Sequence, residues 1–248
     1  MNAPCYEIIA QGDVELRHEV NREMQQRVAK HTDEIQSLWE DACARREITL
    51  YDGTLLTYAR HEFIRGCLRV FGHFAEYKQF MAQRINPGLA LGIRPIGVSG
   101  VVIGHSGNEP FTVFAKRAAD TSTYGGFLEL VPSGAIDKSD GRPDGTVDFQ
   151  KRLFCEFEEE VSPVPEPYQC DITGFAFLYD IPGCVYDVCC KITTDLPTDF
   201  FVESLARSRE YQSAVCVPIK DIDTYIKENH EQIIPTSNGI IKALTERP

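Results

Sequence analysis

Four carboxylates crowd one short stretch, Glu156, Glu158, Glu159 and Glu160, and their spacing is what makes chemistry possible there. Phe149, Leu153, Phe157 and Val161 recur every fourth residue through the same run, which at about 100° per residue makes one apolar stripe and predicts a helix. Glu156, Glu159 and Glu160 then share an arc beside the stripe, while Glu158 points elsewhere. Like charges three and four apart repel by several tenths of a kcal/mol per pair, so a helix with only a structural role gains nothing from them. A divalent cation held among them reverses the sign of that cost. A solvated acidic face is the alternative that the charge pattern alone allows.

The elements that must position this helix lie just before it. Phe127, Leu128, Leu130 and Val131 predict a strand, Pro132, Ser133 and Gly134 a turn that stops it, and residues 137–148 a polar loop. Taken together, residues 126–163 resemble the signature of the Nudix hydrolases, in which glutamates of a loop and helix hold magnesium against a diphosphate. The segment CEFEEEVSP (155–163) aligns with the REUxEExGU half of that signature and keeps all three glutamates. The segment ELVPSGAID (129–137) is similar to its opening in the branch that acts on nucleoside diphosphate sugars. Cys155 stands at the arginine position, Ser162 at the glycine and Asp140 where the count from Gly134 leads to a glutamate, and the loop between Asp140 and Cys155 is longer than the family's.

The resemblance continues outside that stretch. A helix bearing Trp39, the LYDGTLL segment, His73-Phe74-Ala75-Glu76-Tyr77 and the PIGVSGVVI segment together look like the Nudix enzymes that hydrolyse UDP-glucose and UDP-galactose. This implies an α/β fold, a Nudix-type α/β/α sandwich with a mixed sheet, with an N-terminal helix and β-hairpin extension over 1–88 and the hydrolase domain over 89–248. It implies cleavage between the two phosphorus atoms, giving UMP and a sugar 1-phosphate, with Mg2+ (or Mn2+) as cofactor. ADP-ribose or another nucleoside diphosphate derivative is the alternative substrate, and a non-catalytic nucleotide-binding protein of the same fold is the alternative role. Glu156, Glu159 and Glu160 are the implied metal ligands, with Glu160 shared. Magnesium suits such a set because it takes oxygen ligands and keeps several of its waters. The general base stays open among Glu159, Glu203 and Glu210, and Asp140 either approaches the metal or caps its loop. Arg94, Lys116 and Arg117, on or beside strands leading to the box, are candidate phosphate donors, with ordinary surface use the alternative for each. Tyr124, just ahead of Gly125-Gly126, is a candidate to stack on uracil or a rim tyrosine of structural use.

Composition narrows the classes. With 248 residues and 43% hydrophobic content a packed core is available. A formal net charge of −12 argues against general affinity for nucleic acid or anionic membranes, so an anionic substrate needs local cations and a metal. No run of about 20 apolar residues offers a membrane span, and the N-terminal residues lack a basic region followed by an apolar core, so a cytoplasmic protein acting on a small nucleotide sugar is expected. Nine cysteines without regular spacing predict reduced, buried thiols rather than zinc or disulfides, and Cys155 has no neighbouring histidine to activate it. The six histidines show no metal spacing.

Along the chain, 14–46 predicts a mainly helical segment whose stripe is Val20, Met24, Val28, Ile35, Leu38 and Trp39. Residues 48–60 predict a hairpin about Asp52-Gly53, 74–83 a helix, and 86–88 a turn. Strands are expected at 96–105, 111–117, 174–179, 186–191 and 214–219, and helices at 221–229 and 239–246.

Overall fold

The computed structural model describes residues 5–45, 52–121, 123–164 and 167–246. A mixed sheet forms its middle layer. In order across it run β1 (Tyr6–Gln11), β10 (Cys170–Asp180), β11 (Val185–Thr194), β5 (Ile96–Ser106), β6 (Glu109–Arg117) and β12 (Tyr211–Pro218). Among these six strands only β11 and β5 pair in parallel. These two central strands are nearly continuous apolar runs, as strands covered on both faces must be. Helices α4 (Phe149–Glu160) and α5 (Thr198–Arg207) cover one face through Leu153, Phe157 and Phe201, and α6 (Ile222–Asn229) and α7 (Pro235–Thr245) cover the other through Ile222, Ile240 and Ile241. The α/β layering expected from the sequence is present.

The sheet forks where β5 and β6 part. They pair only near their shared hairpin, Gly104–Ser106 against Glu109–Phe111. Beyond it, β7 (Leu128–Leu130) pairs with β6 and β8 (Ser133–Ala135) pairs with β5. The turn expected at 132–134 is therefore a step from one arm of the fork to the other, because Ser133 to Ala135 find an open strand edge in β5.

A second sheet, ordered β3 (Thr54–Ile64), β4 (Cys67–Glu76), β2 (Val14–His18) and β9 (Thr146–Val147), packs on the α4 side. Arg65 and Gly66, at φ 52° and 83°, close the β3–β4 hairpin as a two-residue turn that needs left-handed backbone at both positions. Helices α1 (Arg22–Lys30), α2 (Thr32–Arg45) and α3 (Tyr77–Ile85) share a smaller core with Leu55, Ala75 and Ile93. The segment 1–88 is interleaved with the remainder of the chain: β1 is an edge strand of the main sheet, and β2 pairs with β9 from the loop ahead of α4.

Several expectations change. Residues 14–18 are a strand rather than the start of a helix, since Leu16 is buried between β4 and β9 and the helix begins only after Asn21, whose side chain caps Met24 N at 3.0 Å. Val20 precedes that cap and is 74% exposed, so it lies outside the stripe. Trp39 is half-buried, edge-on to Tyr77 at 6.1 Å. Residues 48–51 of the expected hairpin lie outside the described residues; the strand from Thr54 pairs with β4. Residues 74–76 finish β4, and the helix starts at Tyr77 behind a Glu76–Gln79 capping box. Strand β1, most of β4 and helix α5 are additions to the elements expected from the sequence. Of the nine free cysteines, Cys189 and Cys190 are buried, and the others are half-buried or exposed.

Candidate functional site: carboxylates beside a forked sheet

Helix α4 forms where the stripe predicts it. Asp148 caps it by accepting from Lys151 N at 3.0 Å, and Phe149, Leu153, Phe157 and Val161 are buried against the sheet. That orientation carries Glu156 and Glu160 toward β8 and leaves Glu159 exposed. Glu160 is 5% exposed and accepts from Ser133 N at 3.2 Å and Tyr211 Oη at 3.0 Å. Glu156 pairs with Arg152, one turn earlier on the same helix. A guanidinium thus meets Glu156, supplied from position 152 rather than from the neighbouring position 155. Gly134 admits this arrangement because a Cβ there would fall on the Glu156 carboxylate.

A further glutamate, not singled out from the sequence as a site residue, completes the cluster. On β7 the side chains of Leu128 and Leu130 turn toward α7, so Glu129 turns toward α4. It is 1% exposed and forms an ion pair with Arg117, which also donates from Nε to Thr123 O at 3.2 Å. Burial pushes Glu129 upward against the pull of Arg117, and burial followed by the charge of Glu129 pushes Glu160 well above the usual carboxylate range. Glu210, exposed at the start of β12, adds its negative field to Glu129, Glu156 and Glu160. Glu203 faces away on α5, paired with Arg207 at 3.0 Å. Asp140 caps its own loop, accepting from Asp137 N at 2.9 Å.

A cavity of about 310 Å³ opens at the fork. Glu129, Ser133 and Gly134 form its wall toward α4, Arg117 and Arg84 flank it, and Tyr77 and Phe80 supply aromatic surface. Of the candidate substrate residues, Arg117 and Tyr124 line the cavity, and Arg94 and Lys116 lie outside it. Arg94 is exposed with its guanidinium 4.9 Å from the Tyr58 ring, and Lys116 alternates with Arg117 on β6 and so faces the opposite side of the sheet. Tyr124 donates to Asp180 at 2.8 Å. Two further carboxylates, Asp180 and Asp187, line the cavity on the α7 side; burial pushes Asp187 up to about 7, and the charge of Asp180 adds to it.

The fit to a metal can be judged from these donors. They are all oxygen, and four carboxyl groups, Glu129, Glu156, Glu160 and Glu210, stand against two guanidiniums, Arg117 and Arg152, a donor chemistry that suits a hard divalent ion. Among the described residues, no three ligating side chains converge closely enough to enclose an ion, since Glu156 is engaged by Arg152 and Glu160 by Ser133 and Tyr211.

The missed residues left signals. Glu129 is a lone acid between leucines in an expected strand, and Asp187 a lone acid in the run Tyr186 to Cys190. Arg152 stands four residues before Glu156 on the expected helix. Tyr211 left none, because the apolar pattern predicts its strand only from Ala214.

Compared with family models, the sequence matches none, and it matches no curated protein. Among solved structures it is similar to the NUDIX domain of Shewanella oneidensis NrtR complexed with ADP-ribose, at 14% identity over 61% of this chain and 86% of that one, with a TM-score of 0.40. It is also similar to a NUDIX hydrolase from Alicyclobacillus acidocaldarius, at 16% identity over 62% and 91% of the two chains, with a TM-score of 0.41. A mutT/nudix family protein from Listeria innocua is similar at 14% identity over 60% and 88%, with a TM-score of 0.37. Among the described residues no helix is long and apolar enough to cross a membrane.

Proposed function

We propose that this protein is a divalent-metal-dependent hydrolase of the Nudix type that splits the diphosphate of a nucleoside diphosphate derivative, with UDP-glucose or UDP-galactose as the substrate. The observation that carries this reading is the position of Glu156 and Glu160, packed against β8, the strand whose Ser133 and Gly134 line a cavity that Arg84 and Arg117 also line. Glu156, Glu159 and Glu160 would hold Mg2+ or Mn2+ once Glu156 leaves Arg152 and Glu160 leaves Tyr211, and the ion would supply positive charge to the diphosphate oxygens and favour ionisation of the attacking water. Glu210 is the base candidate, exposed yet close enough to bias the buried glutamates, whereas Glu203 is turned away. Arg117, kept charged beside Glu129, orients a phosphate at the cavity's edge.

Incubation with UDP-glucose and magnesium tests this directly. UMP and glucose 1-phosphate should appear, ADP-ribose should turn over more slowly, and Glu160→Gln should abolish product. Full activity in that variant would refute the assignment. A nucleotide-binding role without catalysis is the second reading, favoured by the engagement of Glu156 with Arg152 and of Glu160 with Tyr211. It predicts heat on titration with UDP-glucose and no product at any metal concentration.

A further inference from the structure

Asp187 is held in an unusual way for a carboxylate so deeply placed. It is 7% exposed on β11, and its hydrogen-bond partners are two neutral hydroxyls, Ser99 Oγ at 2.9 Å and Thr236 Oγ1 at 3.5 Å. Asp180, diagonal to it across the β10–β11 pairing and on the same face, accepts from Gly183 N at 3.0 Å and Tyr124 Oη at 2.8 Å. Neither has a lysine or arginine among these partners. Burying a carboxylate without a cation is costly unless its acceptor sites are filled. Two carboxylate oxygens offer about four such sites, so some remain open after these bonds are made. Both residues line the cavity.

The cavity lining carries both signs of charge. Arg117, paired with Glu129, draws an anionic group, whereas Asp180 and Asp187, beside Thr236 of α7, repel one and accept from neutral donors; Arg84 lies within electrostatic reach of Tyr124, the partner of Asp180. Tyr77 and Phe80 add apolar, flat surface. A nucleoside 5′-phosphate carries both an anionic end and neutral donors.

Resting on the functional reading above, we infer that Asp187 is a specificity-determining residue of the cavity, accepting hydrogen bonds from neutral O–H or N–H donors of a nucleoside while the phosphate end faces Arg117. The donors are either the ribose 2′,3′-diol or the N–H of the base, and the two sources are separable. A site built to accept such bonds discriminates strongly against analogues lacking the donor, because its buried acceptors are then left unpaired.

Calorimetry without metal, so that no turnover occurs, tests this with UMP and AMP. Whichever binds the wild-type protein more tightly is compared with its 2′,3′-dideoxy form and with its base-methylated form lacking the N–H donor. One analogue should bind at least about tenfold more weakly, and its identity names the donor source. In Asp187→Leu, which removes both acceptor oxygens at similar volume, the parent nucleotide should weaken by a similar factor and the discrimination between parent and analogue should disappear. Equal binding of both analogues to the wild-type protein, which requires no variant to fold, overturns the inference, as does discrimination that survives in Asp187→Leu. If neither nucleotide binds and UDP-glucose is not cleaved, the functional reading fails and carries this one with it. Cleavage of UDP-glucose together with a flat analogue series sinks only the role of Asp187.

Discussion

Glu129 and Asp187 are both almost wholly buried carboxylates on the walls of one cavity, yet they are stabilised by opposite means. Glu129 has a guanidinium, Arg117, while Asp187 has two hydroxyls. The first arrangement cancels charge where the glutamates of α4 already crowd. The second leaves acceptor capacity exposed to whatever enters the cavity. Burial alone therefore does not assign a role to an acidic side chain; the identity of its partners does.

Removing the cation from the first arrangement should have the largest effect. Arg117→Met leaves Glu129 buried beside Glu160 without its partner and frees the Thr123 carbonyl, and we expect a loss of about 3–5 kcal/mol in urea denaturation. An unchanged midpoint would show that Glu129 does not depend on the pair. In the second arrangement the sign reverses with pH. Burial raises Asp187 to about 7, so the folded protein holds this proton when the unfolded chain has released it. Its contribution to stability is fully present below the usual carboxylate range and is lost as the pH rises through about 7. Asp187→Asn removes that slope, so the variant should gain about 3 kcal/mol on the wild-type protein between pH 4.5 and pH 8, read from melts at each pH. Parallel curves would place the proton elsewhere.

Smaller changes sharpen the contrast. Gly134→Ala pushes a methyl group into the Glu156 carboxylate and should cost about 1–3 kcal/mol while lowering UDP-glucose hydrolysis more than the stability loss explains. Equal losses in both would mean that Glu156 only packs. Arg94→Ala, which removes an exposed guanidinium from the face of the half-buried Tyr58 outside the cavity, should cost under about 1 kcal/mol, and a larger shift in melting would point to an unrecognised contact.

Helix α4 was legible because its cap and its stripe are neighbours in the chain, where local periodicity governs. The strands from Ile96 to Arg117 were legible for the same reason, as apolar runs that end in a turn. The fork was not. It depends on β7 and β8 choosing different neighbours, and nothing between Leu130 and Ser133 announces that choice in local sequence. Tyr211 reaches Glu160 only through the placement of β12 on β6, and Arg117 meets Glu129 only because β7 lies antiparallel to it. Side-chain types were readable from sequence, whereas partners supplied by sheet pairing were not.

The pairing of Tyr6 with Asp180 bears on how the chain is made. A ribosome releases β1 long before its mate exists, so that strand must stay unsatisfied until most of the polypeptide has emerged. Contacts so distant in sequence slow closure of the sheet and leave an exposed edge available to other molecules in the meantime.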